Sequence, residues 1–127
     1  MNKFFSFFLV FIYSSLILYG QENNDINIKE FKSKLDRSTY LLVDVRTKAE
    51  YSKGYIKDAI NIDYLSDDFE KKIKKLDKEM LVLIYCRSGN RSRKAMSLMS
   101  KYGFKQVFNL AGGVIAWKEN DNSLISK

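Results

Sequence analysis

Two hydrophobic rhythms alternate along the chain. Short apolar runs, "YLLVDV" (Tyr40–Val45), "AINI" (Ala59–Ile62), "LVLIY" (Leu81–Tyr85) and "QVFNL" (Gln106–Leu110), have the composition of β-strands, and a further short strand is expected around Ile26. Between them the apolar positions recur at helical spacing. Ile28, Phe31 and Leu35 share one face of a helix over 28–35 that Asn27 can cap, and Phe69, Ile73 and Leu76 share one face over 67–76. Thr47 and Glu50 have capping-box spacing at the head of "TKAEYSKG", which ends at Gly54. After Arg91 the segment "SRKAMSLMSKYG" reads as a helix stopped by Gly103, and a last helix follows "AGG" and carries Trp117. Strand and helix alternate throughout, which predicts an α/β fold: a mostly parallel sheet covered by helices on both faces. In such folds reactive groups collect at the C-terminal edge of the sheet. Arg46 and Cys86 both fall just beyond strand ends, so both are expected on that edge.

The first twenty residues break this pattern. "FFSFFLVFIYSSLILYG" follows a basic start at Lys3 and ends on the small Gly20, the layout of a secretory signal peptide. An uncleaved N-terminal membrane anchor is the competing reading. Phe4–Tyr19 as a helix would reach about 24 Å, short of the ~30 Å hydrocarbon core. Either way the domain is expected to be exported, to a periplasmic or other extracytoplasmic space, with membrane contact only if this segment is retained. Residues 21–27 then form a flexible N-terminus of the mature chain, and 28–125 the single folded domain.

Charge narrows the partners. The net charge is +7, and its excess lies largely in stretches such as "EKKIKKLDKE", where acids are interleaved. That is the pattern of a solvated helix face, so nucleic acid is not expected, while the positive field favours small anions. The chain has one cysteine and no histidine. An internal disulfide is therefore impossible, and Cys–His pairs, Ser–His–Asp triads and the usual zinc sets are excluded together. Neither metal nor cofactor is expected.

Any nucleophile here must be activated without imidazole, and "CRSGNRS" offers a way. A free thiol has a pKa near 8.5, and lowering it by about two units takes ~2.7 kcal/mol of preference for the anion. A helix N-terminus supplies up to about 2 kcal/mol in a partly buried setting. Main-chain amides turned inward by Gly89, with Arg87, Arg91 and Arg93 nearby, can supply the remainder. The same cradle suits an oxyanion, and the planar fork of Arg91 suits a sulfonate or phosphate. A lone cysteine after a strand is also a common small core residue, and the local residues leave both readings open.

Taken together, "LLVDVRTKAEYSKGYIKDAINI", "LVLIYCRSGNRSRKA" and "GFKQVFNLAGGVIAW" resemble the single-domain rhodanese family in order and spacing, across nearly all of 28–120. The resemblance implies a five-stranded parallel sheet with helices on both faces, and a sulfurtransferase of the thiosulfate:cyanide type. It implies that Cys86 becomes a persulfide, that Arg87, Ser88, Gly89, Asn90, Arg91 and Ser92 form the substrate-binding loop, and that Arg91 holds the donor's anionic end. Sulfur would pass from thiosulfate or a related small anionic donor to cyanide or a thiol, in a monomer. Asp44 and Arg46 match the family's "DVR", a structural tie joined by Glu50. Gly112 and Gly113 match its "GG" turn, and Trp117 its core-filling tryptophan. The chain departs at "GYIKDA", where the family often reads "GHIPGA". Two other functions compete: a persulfide carrier that turns over poorly, and a phosphatase. Phosphatase loops place arginine six positions after the cysteine, where this chain has Ser92.

Overall fold

The computed structural model describes residues 24–126. The expected signal or anchor segment lies outside the described residues. Ten elements follow in strict alternation: β1 (Asp25–Ile26), α1 (Ile28–Arg37), β2 (Tyr40–Asp44), α2 (Lys48–Ser52), β3 (Ile60–Asn61), α3 (Phe69–Ile73), β4 (Leu81–Tyr85), α4 (Asn90–Lys101), β5 (Gln106–Leu110) and α5 (Gly113–Glu119). The strands form one parallel sheet in the order β1-β5-β4-β2-β3. Among the described residues no helix is long and apolar enough to cross a membrane.

The period of two along each strand divides the core. Val82, Ile84 and Cys86 of the β4 line face one way, with Val43, Val45 and Val107, and pack against Phe69, Ile73, Ala95 and Met99 from α3 and α4. Leu83 and Tyr85 face the other way and pack with Phe31 of α1 and with Val114 and Trp117 of α5. Both faces of the central strand are covered, which is why "LVLIY" is apolar without interruption. Trp117 fills this second layer, edge-on to Phe31, and its Nε1–H donates to the Ser123 carbonyl at 3.0 Å.

Several elements differ in extent from the pattern-based expectation. The terminal stretch expected to be flexible is ordered from Asp25: β1 pairs with β5, and the Asn27 side chain accepts from the Glu30 amide to cap α1. The helix expected over 67–76 is α-helical only from Phe69 to Ile73. Its cap, Asp68, makes no side-chain cap bond, and beyond Ile73 the amides of Lys75 and Leu76 reach back three residues rather than four. The helix expected after Arg91 starts earlier, at Asn90, so Asn90, Arg91 and Ser92 are its first turn, not loop.

Candidate active site

Parallel pairing of β4 between β2 and β5 brings three strand ends to one edge, and the cysteine loop is built across it. Cys86 follows β4 and is 1% exposed. Three residues, Arg87 to Gly89, make the turn, with Gly89 at φ +106° as the N-cap of α4. A left-handed backbone there favours glycine, and it lets the Gly89 N–H donate to Cys86 Sγ at 3.1 Å. The Ser92 hydroxyl donates to the same sulfur at 3.2 Å from the first turn of α4. Burial works hardest against ionisation of this thiol. The Ser92 hydroxyl and the amides of Ser92, Gly89 and Ser88 outweigh it, and the Cys86 thiol sits below its ordinary value.

The loop is held in that shape from two sides. The Val114 and Ile115 amides, in the first turn of α5, donate to the carbonyls of Cys86 (2.9 Å) and Arg87 (3.1 Å). In a trans peptide the carbonyl and the following N–H point opposite ways, so anchoring the Arg87 carbonyl on α5 turns the Ser88 N–H toward the sulfur side. Gly113 makes this close approach possible: a Cβ there would lie 2.4 Å from the Cys86 carbonyl oxygen and 2.6 Å from that of Arg87. The "GG" pair is thus more than a turn, because Gly112 caps α5 and Gly113 is the surface on which the reactive loop rests. From the other side, Asn109 of β5 is fully buried and donates its Nδ2–H to the Gly89 carbonyl (3.2 Å) and to Asp25 (2.5 Å). The Arg93 amide also donates to the Gly89 carbonyl. With that carbonyl served twice, the single hydroxyl proton of Ser92 is available to the sulfur.

The guanidinium groups are arranged differently from expectation. Arg91 is held bidentately by Glu50, at 2.7 and 3.0 Å. Glu50 therefore does not join the Asp44–Arg46 tie, and instead bridges α2 to the head of α4. Its carboxyl is drawn down to about 2, chiefly by its hydrogen bond from Arg91. The capping box with Thr47 fixes the same carboxylate on its own helix. Arg93 pairs with Asp25 at the surface. Arg87 is exposed and makes no ion pair among the described residues. The dominant help to the Cys86 thiolate is thus a hydroxyl and amides, not arginine.

Asp44 and Arg46 form a buried pair, with Arg46 Nη2 2.6 Å from Asp44 Oδ2 and 2.7 Å from the Gly54 carbonyl. This closes the β2 end onto the "GYIKDA" loop, whose Ile56 amide donates to the Tyr85 hydroxyl at 3.0 Å. Tyr55, where the family often has histidine, is buried and stacks on Tyr51 at 4.2 Å between ring centres.

Residues 27–120 match the model of the rhodanese-like domain. The chain belongs to that family. The fold agrees: a rhodanese-like domain protein from Staphylococcus aureus superposes with a TM-score of 0.70 at 33% identity, covering 81% of this chain and 97% of that one. The chain is 35% identical over 104 residues to a sulfurtransferase of Allochromatium vinosum, covering 81% of this chain and 95% of that protein. It is 40% identical over 91 residues to the tRNA uridine(34) hydroxylase of Cytophaga hutchinsonii, covering 69% of this chain but only 29% of that protein's length. As a rhodanese-like domain the chain has sulfurtransferase relatives along nearly their whole length. Asn109, the α5 amides and the loop-facing side of Gly113 were missed by pattern reading. A signal for the first was present, since "QVFNL" puts an asparagine on the same strand face as buried Val107.

Proposed function

We propose that the protein is an exported rhodanese-type sulfurtransferase that carries sulfane sulfur on Cys86. The observation that carries this reading is the near-buried sulfur receiving both the Gly89 amide and the Ser92 hydroxyl, with its ionisation favoured. In the first half-reaction the Cys86 thiolate attacks the outer sulfur of thiosulfate. The S–S bond breaks, its electron pair leaves with sulfite, and Cys86 keeps the transferred atom as a persulfide. In the second, an acceptor such as cyanide attacks that outer sulfur and the Cys86 thiolate leaves. Neither step needs an external oxidant. Ser88, Gly89 and Ser92 hold the anion in both states, Asn90 lies at the helix head, and Arg91 is the group to which the sulfonate end would turn. Export rests on the apolar pattern of the first twenty residues.

The test is intact mass after one equivalent of thiosulfate. A gain of one sulfur atom, with none in Cys86→Ser, is expected; an unchanged mass for the native protein refutes the reading. A carrier that turns over slowly is the second reading, favoured by one feature: the fork of Arg91 is already filled by Glu50. Fast loading with slow thiocyanate release would select it.

A further inference from the structure

The hydroxyl that serves the sulfur stands between two acceptors. Ser92 Oγ lies 3.2 Å from Cys86 Sγ and 3.1 Å from the Gly89 carbonyl, and a hydroxyl has a single proton to give. Which acceptor receives it depends on how far that carbonyl is already filled. A carbonyl oxygen has two lone pairs. The Arg93 amide takes one at 3.1 Å, and Asn109 Nδ2 takes the other at 3.2 Å. Asn109 arrives from β5 with its nitrogen end fixed, because Asp25 of β1 accepts its second Nδ2–H and holds the Arg93 guanidinium with the same carboxylate. Both neighbours of the amide are acceptors, so only its nitrogen can point at them. The other end is left over: Asn109 Oδ1 is buried with no hydrogen-bond partner among the described residues. An unpaired buried oxygen is destabilising, and an apolar side chain of the same branched outline would fill the site without it. The amide at 109 is therefore explained by what its nitrogen does and not by packing.

We propose that Asn109 is a positioning residue for Cys86: by occupying the Gly89 carbonyl it denies Ser92 its alternative acceptor and keeps the hydroxyl proton directed at the sulfur. The inference rests on the reading of Cys86 as the reactive thiolate, and names a residue that sets its charge without touching it. The effect works through the neutral thiol as much as through the anion. With the carbonyl open, the hydroxyl would bond to it while Cys86 is protonated, and ionisation would have to break that bond. With the carbonyl filled, the full strength of the Ser92 bond to the thiolate is gained on ionisation. The thiolate attacks in one half-reaction of sulfur transfer and leaves in the other, so a donor held on it serves both. The charged groups around the loop, Arg91 with Glu50, Arg46 with Asp44 and Arg93 with Asp25, are ion-paired, and a substitution at uncharged Asn109 leaves their charges in place.

The test is the pH profile of Cys86 alkylation by iodoacetamide in the native protein, Asn109→Leu, Ser92→Ala and the double variant. In Asn109→Leu the Gly89 carbonyl keeps the Arg93 amide and gains the Ser92 hydroxyl, so it is not stranded. The inflection should rise by about half a unit, with alkylation about threefold slower well below it and unchanged well above it. In the Ser92→Ala background the same substitution should move nothing, because the proton it redirects is gone. An unshifted inflection in Asn109→Leu overturns the proposal. So does an equal shift in both backgrounds, which would mean that the loop had loosened around the Gly89 amide. If circular dichroism shows that leucine is too large for the fold, Asn109→Ala, which also lacks the donor, decides by the same two criteria. None of these readouts involves a sulfur donor. Failure to load sulfur from thiosulfate would sink the transfer reading, while the alkylation profiles still decide the role of Asn109.

Discussion

Replacing Ser92 by alanine tests the central electrostatic claim. The substitution deletes the hydroxyl that donates to Cys86 Sγ at 3.2 Å and leaves the Ser92 and Gly89 amides in place. A hydrogen bond to a charged group contributes about 1.5–3 kcal/mol. At about 1.4 kcal/mol per unit, its loss corresponds to a rise of roughly one to two units in the thiol pKa. The lower end applies, because the hydroxyl also lies 3.1 Å from the Gly89 carbonyl and the amides continue to hold the anion. The sign follows directly: the bond stabilises the thiolate, so Ser92→Ala moves the inflection of reactivity to higher pH. The assay is the rate of iodoacetamide alkylation of Cys86 across pH 5–10. Well below both inflections the variant should react about tenfold more slowly. Above them the curves should meet, or cross slightly in the variant's favour, since a more basic thiolate is the better nucleophile. Coincident inflections would refute the reasoning. So would a loss of rate equal at every pH, which would mean that access to the sulfur had changed and not its charge.

Gly113→Ala should cost about 2 kcal/mol or more, because φ is +54° and its Cβ would meet the Cys86 carbonyl oxygen at 2.4 Å. Urea unfolding measures the loss, and a variant of native stability and native Cys86 reactivity would show that α5 is not the rest for the loop. The Glu50–Arg91 pair predicts an acid dependence. Glu50 has its folded pKa pulled down to about 2 from an ordinary 4.5, so its contribution is complete above the ordinary value and lost as pH falls from there toward 2. Because the pair is part-exposed and screened, Glu50→Gln should lose about 1 kcal/mol at pH 7 and less than half of that at pH 3. An equal loss at both pH values, read from denaturant midpoints, would contradict the pairing.

Much of this protein was already decided along the chain. Five apolar strands separated by amphipathic helices leave a parallel α/β sheet as the way to bury both faces of "LVLIY", and a lone cysteine at the end of that strand, with no histidine anywhere, means that any reactive thiolate there is held without imidazole. Those conclusions depend on periodicities of two and about 3.6 residues, which are properties of neighbours in sequence. What holds the sulfur's surroundings together is not local. Glu50 meets Arg91 across 41 positions, and Asn109 meets Gly89 across 20. The α5 amides reach Cys86 and Arg87 because β5 lies beside β4, and α2 faces the head of α4 because β2 lies on the other side. Strand order is settled by how whole helical faces pack, and no pattern within one segment carries it. The composition of the cysteine loop was therefore legible, while the pairing of Arg91, the rest on Gly113 and the hold of Asn109 on Gly89 came only with the folded sheet.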